Sequence, residues 1–302
     1  MSFKTPIILI IYKRFGTALK VFDQIKLIKP NKLYLIADGP KTIDDKNKCS
    51  KVRNYIENNI EWDCEVIKVY SNTNLGCAKR VQTGLDYVFE NEEMAIILED
   101  DTLPDTSFFK FCEELLERYE DDHRVAHISG CNLHSDAVNF RESYCFSSIV
   151  NIWGWATWKR AWQNYDLKMS AWDKENKSDF LKYWCNSKRE LSGIRKMFDL
   201  HCNNPDPWTW DYQWVYSCWK NKSYSIIPQK NLVTNIGIGP DASNTKFNTQ
   251  VKMYPKVLQS ITPELTHPQV KRNKSFEKKY YKESKPKFIR IIKQKVKKLI
   301  NF

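Results

Sequence analysis

No stretch of the sequence approaches the roughly eighteen consecutive apolar residues that a membrane-crossing helix requires. The apolar run nearest the start, PIILIIY (6–12), is seven residues long and no small-residue cleavage site follows it. It reads as a buried first strand, not as a span or a signal peptide. Paired cysteines are also lacking: the nine cysteines are odd in number and never form a C-x-x-C pair. Reduced thiols in a cytoplasmic setting are therefore expected. The five histidines do not cluster with cysteines at ligand spacing, which argues against structural zinc. Internal repeats and low-complexity linkers are absent before the C-terminal segment. What is present is a globular composition, 42% hydrophobic and 14% aromatic over 302 residues, enough for one large or two modest domains.

The formal charge of +12 would suggest a nucleic-acid binder if it were spread over the chain. It is not. Residues 271–300 hold thirteen Lys or Arg against Glu277 and Glu283, a surplus of eleven, so residues 1–270 are almost neutral. The basic character belongs to one appendage.

The first hundred residues alternate strand and helix signals. PIILIIY is a strand, and 17–28 has helical spacing of Leu19, Val21, Phe22, Ile25 and Leu27. LYLIAD (33–38) is a second strand, closed by a turn at Gly39 and Pro40 and followed by a polar helix over 43–58. CEVIKVY (64–70), a helix over 77–90 and a strand over 94–98 continue the pattern. Alternation of this kind predicts an α/β fold, with a mostly parallel sheet and helices on both faces. Ligands of such sheets sit at the carboxyl ends of the strands, where Asp38, Gly76, Glu99, Asp100 and Asp101 fall. Beyond Pro104 a helix over 107–119 and a strand RVAHISG (124–130) lead into an aromatic region. Ten of the eleven tryptophans lie between Trp153 and Trp219. Each reads either as core or as the wall of a site; their clustering in WGWATW and DPWTWDYQW favours walls, because flat rings suit sugar C–H surfaces.

The segment AIILEDDTLPD (95–105) ends an aliphatic strand in three adjacent acids. Acids flanking a strand are commonly solvated loop residues. Here the strand lacks polar alternation, the acids sit at the ligand edge, and Pro104 stiffens the exit. A divalent cation removes the repulsion among them, since Mg²⁺ or Mn²⁺ takes oxygen ligands from one or two carboxylates and substrate phosphates. The aspartyl phosphotransferase pattern D-x-D-x-T is a poor match, because Glu99 stands where its nucleophile belongs.

ILEDD (97–101) resembles the metal-binding D-x-D-type motif of nucleotide-sugar glycosyltransferases with the GT-A fold, in particular bacterial family 2-like enzymes. It is more distantly similar to eukaryotic N-acetylglucosaminyltransferases with an E-D-D triplet. The resemblance covers most of residues 5–245 and runs through five segments in order: PIILIIYKR, LIADGP, SNTNLGCAKR, WGWATWKRAW and NIGIGPDASNT. It implies a GT-A type Rossmann-like sheet and a metal ion, Mn²⁺ or Mg²⁺, held by Asp101. Glu99 and Asp100 would hold the ribose or a water beside the metal. Tyr12, Arg14, Asp38, Gly76, Lys79 and Arg80 would meet the nucleotide sugar, although Arg14, Lys79 and Arg80 read equally well as solvated cations. Trp153, Gly154, Trp155, Trp210, Asn235 and Gly237 would touch sugar or acceptor. Of the two acids in DPWTWDYQW, Asp206 and Asp211, the second resembles the catalytic base of inverting members; a helix-capping Asp is the alternative. His127 and His134 flank a strand end and read as structural. Asn244 and Thr245 stand where similar bacterial proteins carry His-Thr, which leaves the metal shell open.

Residues 285–302 are amphipathic. At about 100° per residue Phe288, Ile289, Ile291, Ile292, Val296, Leu299 and Ile300 share one side, with Lys295 the only intruder, which suits an interfacial helix on an anionic leaflet. A protein-docking helix and a nucleic-acid tail are the alternatives. These features give a nucleotide-sugar-binding half over 1–103, an acceptor-binding half over 104–265 and a membrane-associating segment over 266–302. The expected activity is a metal-dependent, inverting glycosyltransferase using a UDP-linked donor. Its acceptor would be a capsule, O-antigen or lipid-linked glycan, such as a polyprenyl-linked oligosaccharide, at the inner face of the cytoplasmic membrane, with no nucleic-acid partner. A sugar nucleotidyltransferase is the rival enzyme, but IIYKRFGTA (10–18) is poor in the glycine its N-terminal loop would need. A non-enzymatic membrane- or nucleic-acid-binding adaptor is the rival outside enzymes.

Overall fold

The computed structural model describes residues 3–137, 140–175, 177–237 and 257–284. The helix expected over 285–302, and Asn244 with Thr245, lie outside the described residues. Strand β1 (Ile7–Ile11), helix α1 (Phe15–Ile28), β2 (Lys32–Ala37), α2 (Ile43–Asn58), β3 (Glu65–Tyr70), α3 (Cys77–Asn91) and β4 (Met94–Glu99) alternate as the periodicity predicts. β1 lies between β2 and β4, parallel to both, and β3 adds in parallel outside β2. The second half supplies β6 (Val125–Ser129), β7 (Tyr144–Ser147), β8 (Trp155–Trp158) and β9 (Tyr224–Pro228). The eight-stranded sheet has the order β3-β2-β1-β4-β8-β6-β9-β7. β8 is antiparallel to β4 and β6, β9 is parallel to β6, and β7 closes the edge antiparallel to β9. The fold is thus α/β, parallel over its first four strands and mixed beyond them.

Alternate residues of the central strands feed two cores. Ile7, Leu9 and Ile11 pack with α1, α2 and α4 (Thr106–Arg118) on one face, while Ile8 joins α3 and the tryptophans on the other. An apolar strand with no polar alternation is what a sheet covered on both sides demands. α4 starts at a defined point because the Asp105 carboxylate accepts the Ser107 N–H at 2.9 Å.

Most of the tryptophans, though not Trp153, Trp208 and Trp210, correct the expectation that they wall a site. Trp155, Trp158, Trp162, Trp172, Trp184, Trp214 and Trp219 are all at most 2% exposed. Trp158 packs on the α4 face of the sheet and donates its indole N–H to Leu116 O at 3.0 Å. The others fill the space between the opposite face and α5 (Lys159–Trp162), α6 (Lys177–Trp184), α7 (Lys188–His201) and α8 (Asp211–Lys220). Wide rings close such an uneven gap with few residues. His127, stacked on Trp155 at 5.2 Å, belongs to this core. It accepts the Trp214 indole N–H at Nδ1 and donates from Nε2 to Asn151 O, and burial pushes its pKa down to about 3.

The segment expected as a tail from 266 onward begins as part of the body. Helix α9 (Lys274–Glu283) seats Phe276 and Tyr280 against Cys145, Ile149 and Ile227. Among the described residues no helix is long and apolar enough to cross a membrane.

Candidate functional site

Glu99 is the last residue of β4, and Asp100 and Asp101 form the turn after it. The Thr102 hydroxyl holds this turn, accepting the Glu99 N–H at 2.9 Å and donating to Glu99 O at 3.0 Å. β5 (Thr102–Pro104) then pairs antiparallel with β10 (Val233–Asn235), with Asn235 opposite Thr102. The Ile236 N–H donates to Asp101 O at 2.8 Å, and the Asn235 side-chain oxygen accepts the Gly237 N–H at 2.8 Å. A segment more than a hundred residues downstream is thereby folded over the acids. Gly237 lies so close that a Cβ there would stand 2.6 Å from Arg14 Nη1 and collide with the Asp101 carboxylate.

Arg14, just beyond β1, bridges two of the acids: Nη2 lies 2.5 Å from Asp100 Oδ1 and Nη1 2.9 Å from Asp101 Oδ2. The other Asp100 oxygen accepts the Tyr12 N–H at 3.1 Å. One guanidinium thus faces three carboxylates. Burial first, then the charges of Asp101 and Asp100, hold Glu99 well above the usual carboxylate range. Burial likewise raises Asp100 against the pull of Arg14. At the first turn of α3 the Cys77 thiol is pushed up to about 12, by the enclosing walls and then by Glu99, Asp211, Asp101 and Asp38. Four carboxylates from three parts of the chain converge on one region.

At the other end Asp38, expected to contact base or ribose, has both oxygens engaged by the protein itself. Oδ1 accepts the N–H of Gly39 and Leu75, each at 2.9 Å, and Oδ2 accepts the Gly76 N–H and Asn74 Nδ2, each at 3.0 Å. It holds the 74–76 loop in place. Tyr12 is fixed by donating its hydroxyl to Asp45 and accepting the Lys41 N–H, each at 3.2 Å. Asp45 is lowered chiefly by its hydrogen bond from Lys13. Arg80 is 6% exposed; its Nη2 reaches Val69 O at 3.3 Å while Nε has no hydrogen-bond partner. Lys79, one residue earlier on α3, is exposed and does not line the cavity.

The opposite wall is aromatic. Asp211 opens α8, and its Oδ1 accepts the Thr209 hydroxyl. As a first-turn acid it suits the helix dipole, but it is not the helix cap: the N-cap position is Trp210 and no side chain caps the first turn. Trp153, Trp210, Tyr212 and the half-exposed Trp208 complete this side. Trp155 and Gly154 stand off it. Trp155 is stacked on Trp210 at 5.4 Å in the core, and Gly154, at φ 58°, packs against Val233. Asp206 is exposed and also off the cavity.

Together these groups line a cavity of about 680 Å³. It gathers Tyr12, Arg14, Asp38, Gly76 and Arg80 on the sheet side, and Glu99, Asp100 and Asp101 at its centre. Trp153, Trp210, Asp211, Asn235 and Gly237 line it from the second half of the chain. Sequence reasoning missed Asn74, Cys77, Met197, Trp208 and Tyr212 in the lining. It also missed His201, fully buried behind Tyr212 at 5.1 Å, with neither ring nitrogen hydrogen-bonded. Asn74 and Cys77 lie within SNTNLGCAKR, and Trp208 and Tyr212 within DPWTWDYQW, segments already singled out for other residues; Met197, on α7, sits in a segment with no motif.

All the central donors are hard oxygens carrying a surplus of negative charge, which fits a divalent cation of the Mg²⁺ or Mn²⁺ type. Asp100 is already engaged at both oxygens. Among the described residues no group of three or more His, Cys, Asp or Glu side chains is arranged to hold a metal. A cation here would rest on Asp101 and draw further ligands from a substrate.

No protein-family model and no curated protein matches the sequence. Solved structures with a partial likeness include the mannosyltransferase PcManGT from Pyrobaculum calidifontis in complex with GDP-Man and Mn²⁺. It is 17% identical with a TM-score of 0.37, over 53% of this chain and 45% of that one. The chain thus spans less than half the length of that enzyme. An apo UDP-glucose pyrophosphorylase matches at 10% identity and a TM-score of 0.38, over 74% of this chain and 90% of the other. HddC from Yersinia pseudotuberculosis matches at 10% identity and a TM-score of 0.33, over 53% and 80%.

Proposed function

We propose that the chain is a metal-dependent, inverting glycosyltransferase of the GT-A type. It moves a sugar from a nucleotide donor, UDP-linked, to a bacterial surface-glycan acceptor. The observation that carries this reading is the meeting of Glu99, Asp100 and Asp101 with Asp211 and its aromatic neighbours across one cavity. A diphosphate at the acid end and a sugar against Trp153, Trp208 and Trp210 would occupy both walls at once.

In this reading Asp101 would hold a divalent cation, which supplies counter-charge to the departing diphosphate. Tyr12 and the 74–76 loop held by Asp38 shape the nucleotide end. Arg80, with its unpartnered Nε, offers a donor to an anionic or carbonyl oxygen there. Asp211 takes the proton of the acceptor hydroxyl as its oxygen attacks the anomeric carbon. The bond to the phosphate oxygen breaks, and the configuration inverts because attack comes from the opposite face. The basic amphipathic sequence over 285–302 supports residence at the inner face of the cytoplasmic membrane, where a polyprenyl-linked acceptor would be met.

A panel of UDP-, GDP- and dTDP-sugars with Mn²⁺ tests the reading. Donor hydrolysis should disappear in Asp101→Ala. In Asp211→Asn donor binding should persist while transfer to an acceptor is lost. Failure to bind any nucleotide sugar would overturn the proposal, as would nucleotide-sugar synthesis from a nucleoside triphosphate and a sugar phosphate. Vesicle flotation with and without residues 285–302 tests the membrane assignment, which fails if binding to anionic vesicles survives the deletion.

A further inference from the structure

We propose that Arg14 is a built-in counter-ion of the acid turn, which a divalent cation has to displace, so that the cation is taken up together with a nucleoside diphosphate and poorly without one. The proposal rests on the reading above, that this turn receives a cation and a diphosphate. Arg14 forks across two separate carboxylates, at 2.5 Å to Asp100 and 2.9 Å to Asp101. All three side chains are sheltered, at 23%, 5% and 14% exposure for Arg14, Asp100 and Asp101. Such pairing is screened far less than a surface ion pair.

The surroundings decide which partner can move. Asp100 is fixed from its other side by the Tyr12 N–H. The Asp101 backbone is fixed by Ile236. Gly237 fits against both Asp101 Oδ2 and Arg14 Nη1 with no room for even a Cβ. A cation therefore has no space at Asp101 Oδ2 while the guanidinium stays there. Arg14 ends a long flexible stem and is the group free to swing.

Charge then supplies the coupling. With Glu99, Asp100 and Asp101 facing one guanidinium, replacing a single positive charge by a double one is favourable only if Arg14 finds another anion. A diphosphate offers that anion, in the bidentate geometry that guanidinium prefers. Displaced without one, Arg14 would lose both partners for nothing. Cation and nucleotide thus assist each other, and by linkage the assistance is mutual.

Calorimetric titration of the full chain with Mn²⁺, in the presence and absence of UDP, tests this. The wild type should bind Mn²⁺ roughly tenfold more tightly when UDP is present. Arg14→Met, which keeps the apolar stem, should bind Mn²⁺ alone more tightly than the wild type by a similar factor and lose most of the UDP effect. Adding Asp101→Asn should abolish that binding. Arg14→Lys, which keeps a charge but cannot fork, should fall between, and gives the same comparison should Arg14→Met melt below the working temperature. If the variants bind Mn²⁺ alone no better than the wild type while UDP still assists the wild type, the counter-ion role is overturned and the proposed function stands. Mn²⁺ binding that survives Asp101→Asn overturns it too. If UDP and GDP bind to no form of the protein, with or without Mn²⁺, both proposals fall together.

Discussion

Asn74 donates from Nδ2 to Asp38 Oδ2 at 3.0 Å, closing a set of four N–H groups around one carboxylate. Asp38 thereby acts on the nucleotide end of the cavity through the loop it holds. Asp38→Ala strands several sheltered donors, each worth about 1–3 kcal/mol when left unsatisfied, and should lower the melting temperature markedly. Asp38→Asn keeps an acceptor but turns an NH₂ group toward N–H donors, so it should also destabilise. Affinity for UDP and GDP should fall together, leaving their ratio unchanged. A shifted ratio at unchanged melting temperature would show direct base contact instead.

Glu277 and Arg272 form a buried pair at 2.7 Å that ties α9 to the sheet. Glu277 also accepts the Ser148 N–H at 2.7 Å and Asn186 Nδ2 at 2.9 Å. Burial opposes its ionisation, but the Arg272 hydrogen bond and charge outweigh that, and its pKa lies below the ordinary value. A depressed carboxylate stabilises the fold fully above its unfolded pKa, about 4.3 for Glu, and the contribution disappears as pH falls through the folded value. Glu277→Ala, leaving a buried guanidinium unpaired, should cost about 3–5 kcal/mol. Glu277→Gln should flatten the melting-temperature profile between roughly pH 3 and 5. A wild-type profile equally flat there would exclude this pair as the source.

The parallel half of the fold was legible because IILII, KLYLIA and MAIILE are apolar runs bounded by turn residues, and a doubly covered strand has that pattern. β5 and β10 were not, since three residues carry no periodicity. WATW looked like an aromatic loop; it is β8, and its register sends Trp155 into the core while Trp153, two residues earlier, reaches the cavity. The acid triplet stood out because charge at the end of an apolar strand is conspicuous. Its pairing with Arg14 spans 86 residues, and no local pattern encodes it. Asp38 carried no sign of being saturated, because its donors are mostly backbone N–H groups placed by the tertiary fold.

Glu99 and Asp100 make ligand stabilisation depend on pH. Their folded pKa values are raised, mainly by burial. The stability tied to their protonated forms is complete below their unfolded values, about 4.3 and 3.9, and is lost as pH rises through the folded ones. The unliganded protein should therefore weaken between about pH 5 and 8 from this source. Mn²⁺ with UDP supplies the missing positive charge and should relieve it. The rise in melting temperature on adding both should be larger at pH 8 than at pH 5.5, by about 2–4 °C for each kcal/mol relieved. Equal rises at the two pH values would mean that the buried acids are not the groups the ligands neutralise.

Of the two glycines that line the cavity, Gly76 has open space around it and Gly237 is the crowded one. A Cβ there would come within 2.6 Å of Arg14 Nη1 and of Asp101 Cβ. Asp101 is held from its carboxylate side by Arg14 and from its backbone by Ile236. In Gly237→Ala the element able to yield is therefore the 236–237 backbone, which breaks the 2.8 Å bond from Ile236 N–H to Asp101 O. Binding of Mn²⁺ with UDP should fall by roughly tenfold or more, the loss expected when a site wall shifts by a few tenths of an ångström. Global stability should drop only modestly, because β5 and β10 lie outside the main sheet. Gly16→Ala is the matched control: a Cβ there meets nothing within 4 Å, and the residue lies in the first turn of α1. It should leave binding unchanged and raise stability by about 0.5–1 kcal/mol. Wild-type affinity in Gly237→Ala would remove the 235–237 segment from the working site, and with it the crowding that keeps a cation and Arg14 from sharing Asp101.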